Sequence, residues 1–256
     1  EPNHIHEWGG EIKPEEYAFI LKYSSKILKN TNKDFYVLPA GIDAAAPNGN
    51  TTMSFNSFVS RMFNKHPDVF ENIDAWNSHS YPNPGFSGSP WDTHLASIKG
   101  YQKELKFVGR YVDKDLPVFI TETGWKEGIF LDQNIVADYY KTAFENVWND
   151  KKIAAVTPFI LKADNSVFSD FALIENGSQK KPAFLAIQEL EKIAGKPKLD
   201  NIQIADKIDK NVLGRDNVKQ PKFKEFYEEK IKEKINNYFK QIWYTQNKEV
   251  NKNHSL

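Results

Sequence analysis

Four short runs rich in apolar and β-branched residues end near Gly41, His79, Glu122 and Leu161, and a helical pattern separates each from the next. The ends fall about 40 residues apart, and this spacing constrains the fold more than any other feature. Parallel neighbours can be joined only by a crossover of a dozen or more residues, so strands alternating with helices imply βαβ units and a parallel sheet. Four such units make half of a (β/α)8 barrel, which typically needs roughly 250 residues for all eight. A four-stranded doubly wound sheet satisfies the same pattern. No glycine-rich phosphate loop follows any of the runs, which weighs against the nucleotide-binding versions of that sheet.

The runs are Asp34 to Gly41, Ile73 to Tyr81, Val118 to Thr121, and Ile153 to Leu161. Pro14 followed by Glu15 and Glu16 marks a helix start, and the spacing predicts a helix to about Asn30 with Tyr17, Phe19, Ile20, Tyr23, Ile27 and Leu28 as its apolar stripe. Further helices are predicted over 54–64, 92–111, 133–148 and 181–193, the last closed by Gly195. Beyond it the composition changes. Residues 196–220 read as a polar linker, and 221–256 as a basic amphipathic helix and tail with Phe223, Phe226, Tyr227, Ile231, Ile235 and Tyr238 on one stripe. That helix packs on the body or contacts a partner or surface.

Charge and composition narrow the function. Formal net charge is zero, so the chain exerts no global pull on nucleic acid. From Lys196 onward there are 14 basic and 9 acidic residues, so a +5 tail follows a −5 body. Cysteine is absent, which excludes disulfides and thiolate metal sites. No apolar run reaches the roughly 18 residues of a membrane span. The chain opens on Glu1 with no initiator methionine, so any leader peptide is expected upstream.

Functional groups of parallel barrels sit at the C-terminal ends of strands. Glu122 ends the Val118 run, and strand parity puts it on the face of Val118 and Ile120. A carboxylate ending an apolar face is costly to bury ionised without partners. By parity Asn77, His79 and Tyr81 share a face of the preceding strand. Glu1 precedes the first helix and reads as the end of a strand lying upstream. Two rim carboxylates with a histidine and a tyrosine between them suit a glycosidic bond, where one acid protonates the leaving oxygen and the other attacks or polarises the anomeric carbon.

The motifs point the same way. Glu1-Pro2-Asn3, with Glu7-Trp8-Gly9-Gly10 after it, resembles the fourth-strand segment of the retaining clan A glycoside hydrolases. Ile120-Thr121-Glu122-Thr123-Gly124-Trp125 is similar to the seventh-strand nucleophile segment of that clan, and His79-Ser80-Tyr81 to its sixth strand. Phe171 to Gly177, leading to Lys181-Pro182-Ala183, looks like the turn after the eighth strand. The resemblance covers Glu1 to about Gly195. It implies an incomplete barrel of strands 5–8, with two open sheet edges, that is expected to be inactive, insoluble or dimeric when isolated. It also implies Glu1 as acid/base, Glu122 as nucleophile, Tyr81 orienting Glu122, and a secreted or cell-envelope bacterial location. The substrate implied is a β-linked glycan, with neither metal nor organic cofactor. A carbohydrate-binding or scaffold protein without turnover is the alternative. The acid should have a raised pKa and the nucleophile an ordinary one.

Sugar contacts are expected from Asn3, Asn77, His79 and Tyr81, and from Trp8, Trp91 and Trp125 as stacking faces in rim loops. Trp76, of opposite parity to His79, should pack under a helix. At the eighth strand, where the clan often offers a tryptophan platform, this chain has Phe159 and Leu161. His4 and His6 have no third metal ligand at a helpful spacing.

Overall fold

The computed structural model describes residues 1–129 and 131–192. The expected linker (196–220) and the basic helix (221–256) lie outside the described residues. Among the described residues, five α-helices and three strands follow one another. They are α1 (Pro14–Thr31), α2 (Phe55–Lys65), β1 (Trp76–Ser78), α3 (Gly100–Val108), β2 (Val118–Thr123), α4 (Gln133–Thr142), β3 (Ile153–Pro158) and α5 (Pro182–Glu189). The strands form one parallel sheet in the order β1-β2-β3, with Trp76 opposite Val118 and Val118 opposite Ile153. The chain is thus an α/β partial barrel.

Local chemistry explains the helix limits. Pro14 opens α1 with Glu15 and Glu16 in its first turn. Ser54 caps α2 by accepting from the Ser57 N–H, and Asp132 caps α4 by accepting from Asn134 and Ile135. The predicted helix over 133–148 is realised as α4 followed by a π-helical turn, Ala143–Val147. The predicted helix over 92–111 starts later. Residues 92–99 form turns, in which the buried Ser97 hydroxyl donates to the Asp92 and His94 carbonyls.

Two sequence readings are corrected. In α1 the face turned to the core is Pro14, Tyr17, Ala18 and Ser25, whereas Phe19, Ile20, Tyr23 and Leu28 are exposed. Apolar residues run around most of this helix, so periodicity alone did not select the buried side. The Asp34–Gly41 run forms no strand ladder. It is extended but held mainly by side chains. Asp74 accepts the Val37 N–H through its carboxylate and donates its own N–H to the Val37 carbonyl. Asn77 donates to the Pro39 carbonyl, and the Tyr17 hydroxyl accepts from the Ala40 N–H. Pro39 has no N–H to give a ladder. One parallel bridge, Asp43 to His79, joins this segment to the end of β1.

The core lies between one face of the sheet and the helices. Trp76, Val118 and Ile120 are buried there with Phe55, Phe58, Met62, Tyr101 and Tyr140. Trp76 packs under α3 as expected and donates its indole N–H to Glu104 at 2.7 Å. The other face is open. Phe119 and Thr121 are only half-buried, Ala155 and Thr157 are exposed, and β3 pairs with β2 alone among the described strands. At the far end, buried Lys181 just before α5 pairs with Glu127 at 2.9 Å and ties that helix to the loop after β2.

Candidate active site

The C-terminal ends of β1 and β2 face the first turn of the chain. That turn is pinned by Asn3, which is fully buried. Its amide donates to the Asp43 and Met53 carbonyls and accepts from the Asp43 N–H. Glu1 is thereby carried to the rim of the sheet.

His79 follows β1, and its ring lies flat on Gly41. A Cβ at Gly41 would overlap three atoms of that ring, so glycine is required for the histidine to sit there. His79 Nδ1 is 2.9 Å from Glu1 Oε1 and 3.7 Å from Glu122 Oε2. One oxygen of Glu1 and one of Glu122 lie within 4.8 Å of each other. The Tyr81 hydroxyl donates to Glu122 Oε2 at 3.2 Å. Burial, then the negative charges of Glu122 and Glu1, push the Tyr81 phenol far above its ordinary range, so it remains a donor.

Glu122 does not follow the strand parity read from the sequence. Val118 and Ile120 face the core, yet Glu122 points to the rim. The register of β2 against β3 shifts between Ile120 and Thr123, and Thr123 takes the buried position. An irregularity of this kind re-aims the side chains after it. Gly124 follows directly, where a Cβ would press on the Phe159 carbonyl and the Tyr140 hydroxyl.

The charge state of Glu1 also differs from the sequence reading. Burial raises its pKa, but the hydrogen bond and charge of His79, the adjacent α-amino group and His4 outweigh that, and the net shift is downward. The raised acid pKa expected from the resemblance is therefore not what this geometry produces.

Several expected contacts prove structural. Trp125 is only 1% exposed; its indole donates to the Gly88 carbonyl and packs edge-on against Tyr139 and Tyr140. Its faces are taken, so it is no stacking platform. Asn3 spends its whole amide on Asp43 and Met53. Asn77 donates to Pro39 and accepts from Thr121 Oγ1 at 2.6 Å, two contacts that tie it to the scaffold. Trp8 is half-buried and edge-on to Tyr17. Trp91 stays 56% exposed, with Lys99 Nζ 5.0 Å from its ring centre. The loop acids Asp164 and Asp170 make surface ion pairs with Lys162 and Lys126.

Two groups near the site, Phe86 and Asp43, were not singled out in the sequence. Phe86, Phe159 and Phe171 surround Tyr81 edge-on at ring distances of 5.2, 6.3 and 6.4 Å, an aromatic wall beside Glu122. Phe159 stands where a tryptophan was sought, so the wall is hydrocarbon. Asp43 approaches His4 Nε2 at 2.8 Å and supplies the partner that spacing could not reveal, while His6 remains exposed. The donor atoms of Glu1, His79 and Glu122, and of Glu1, His4 and Asp43, each fall within 4.8 Å of one another.

Comparison with known proteins adds the fold class. No protein-family model matches the sequence, and no curated protein does. Among solved structures the chain is similar to an endo-β-1,3-glucanase of glycoside hydrolase family 128 from Sorangium cellulosum, with a TM-score of 0.53 and 13% identity over 76% of this chain and 68% of that one. It is also similar to a monomeric β-xylosidase from Caulobacter crescentus, with a TM-score of 0.48 and 14% identity over 75% of this chain and 41% of that one. A family 51 α-L-arabinofuranosidase from Bifidobacterium longum gives 0.45 and 15%, over 70% and 40%. At these identities the likeness concerns the fold, and the chain spans about two-fifths of the xylosidase. The fold is the (β/α) barrel in part, as in the family 128 glucanase. No described helix is long and apolar enough to cross a membrane.

Proposed function

We propose that the chain carries the acid/base and the nucleophile of a retaining glycoside hydrolase acting on a β-linked glycan or oligosaccharide. The observation that carries this reading is the approach of a Glu1 oxygen to within 4.8 Å of a Glu122 oxygen, across His79. Retaining enzymes hold the two carboxyl groups about 5–5.5 Å apart, whereas inverting ones leave about 6.5–9.5 Å for a water. Glu122 attacks the anomeric carbon, and Glu1 gives its proton to the departing glycosidic oxygen. Glu1 then takes a proton from the water that releases the glycosyl group, so configuration is retained. The Tyr81 hydroxyl, kept protonated, holds Glu122 Oε2 and leaves its other oxygen for attack. This activity is assigned to the 1–195 stretch. We place its action outside the cytoplasm, as the resemblance implies.

The test is hydrolysis of aryl β-glycosides by the chain with Glu1→Gln and Glu122→Gln beside it, together with labelling by a 2-fluoro-glycoside. A label on Glu122, and activity lost in both variants, supports the reading. Full activity in both variants, or a label elsewhere, ends it. A second reading, a carbohydrate-binding protein without turnover, draws on the lowered pKa of Glu1, which leaves the acid without its proton at neutral pH. Oligosaccharide binding with no hydrolysis at any pH would favour it.

A further inference from the structure

The two oxygens of Glu1 each face an imidazole. Oε1 meets His79 Nδ1 at 2.9 Å, and Oε2 faces His4 Nε2 at 3.9 Å. The same His4 nitrogen is 2.8 Å from Asp43 Oδ2. Asp43 is itself rigidly placed. Its other carboxylate oxygen accepts from the Ala45 N–H at 2.8 Å, and both its backbone groups are bound by the Asn3 amide. His4, Asp43 and Glu1 are all about seven-tenths shielded, which limits but does not remove screening by water. The His4 N–H thus has an anion on either side and bonds the nearer one.

We propose that Asp43 and His4 form a positioning pair for Glu1. Asp43 holds the His4 ring so that its Nε2 stays beside Glu1 Oε2, as His79 Nδ1 stays beside Oε1. This deepens the retaining-hydrolase reading, because it names what sets the protonation of the proposed acid/base. In this arrangement the carboxylate form of Glu1 is favoured, which suits the step in which Glu1 takes a proton from water and opposes the step in which it gives one. Neither residue touches the reacting atoms. The charged and titratable groups facing Glu1 are His79 after β1, Tyr81 in the following loop, Glu122 on β2, and His4, Asp43 and the α-amino group around its own turn.

The experiment reads Glu1 directly. The carboxyl carbon of Glu1 is titrated by NMR in the 256-residue chain labelled with 13C at the glutamate side-chain carboxyl, and the signal is assigned by its absence in Glu1→Gln. Glu1 titrates in the acid range, where an imidazole carries its proton. Removing that charge at 3.9 Å with His4→Gln is expected to raise the Glu1 midpoint by roughly 0.5–1 pH unit, the size of a single near-surface charge at that distance. Asp43→Asn is expected to shift the midpoint when His4 is present and to shift it differently in the His4→Gln background, because Asp43 acts through His4. His79→Gln is the control that shows the signal responds to a bound imidazole. A Glu1 midpoint that moves by less than about 0.2 unit in His4→Gln while moving in His79→Gln overturns the proposal, as do additive effects of His4→Gln and Asp43→Asn. Neither readout needs turnover. A chain that never hydrolyses a glycoside but shows these shifts refutes the hydrolase reading and keeps the pair, whereas an active chain without them does the reverse.

Discussion

Glu104 offers a test of how the sheet and helices are packed. It is 1% exposed on α3, its Oε2 accepts from the Trp76 indole at 2.7 Å, and its Oε1 has no hydrogen-bond partner. Burial raises its carboxyl from 4.5 to about 7, against the lowering effect of hydrogen bonds from Trp76 and Ser78 and of the His79 charge. The folded state therefore holds a proton that the unfolded chain has released over that window. Stability from this site is complete below about pH 4.5 and is lost as pH rises through 7. The shift corresponds to roughly 3 kcal/mol at 1.36 kcal/mol per unit. Glu104→Gln keeps an acceptor for the Trp76 N–H and removes the ionisation. Urea denaturation of both proteins at steps between about pH 4.5 and pH 8 isolates the term, since the other titrating groups cancel in the difference. The variant should gain on the wild type by about 3 kcal/mol from the acid to the alkaline end. A difference that stays flat to within about 0.5 kcal/mol would mean that Glu104 is not buried as an uncompensated acid, and the reasoning would fail.

Three further outcomes follow from named contacts. Tyr81→Phe deletes the donor to Glu122 and should lower kcat/KM on an aryl β-glycoside by about 10–100-fold, the worth of a hydrogen bond to a charged group, with the melting temperature little changed. Gly41→Ala drives a methyl into the His79 ring; it should destabilise the fold by about 1–3 kcal/mol in urea and displace the His79 imidazole signals in NMR spectra. Trp125→Ala should cost about 3–5 kcal/mol in the same assay, whereas Trp91→Ala should change stability by less than about 0.5 kcal/mol and weaken oligosaccharide binding measured by calorimetry. Equal stability losses at the two tryptophans would contradict their assignment to core and rim.

Residues 118 to 123 show how far a sequence can be followed. Val118 and Ile120 go to the core as period-2 alternation requires, and the carboxylate was legible as a strand-end acid. Its direction was not, because the register shift after Ile120 arises from how β2 meets β3. Likewise Trp8, Trp91 and Trp125 all lie in rim loops by sequence, yet one is core, one half-covered and one exposed. Loop tryptophans are sorted by what packs over them, and nothing in the neighbouring residues states that. In α1 the apolar residues run too far around the helix for periodicity to choose a side.

Local patterning was enough for the parallel sheet, for most of the helices, and for the strand-end positions of His79 and Glu122, but not for the Asp34–Gly41 run, which reads as a strand and forms none. Those properties follow from local spacing: crossover length, caps, and the alternation of apolar side chains. Packing brings Glu1, His79 and Glu122 together, sets Asp43 behind His4, and makes burial lift Glu104 while the charges around Glu1 hold it down. Distances between residues far apart in the chain, and the dielectric around them, depend on packing, and it is those distances that set the charge of an acid.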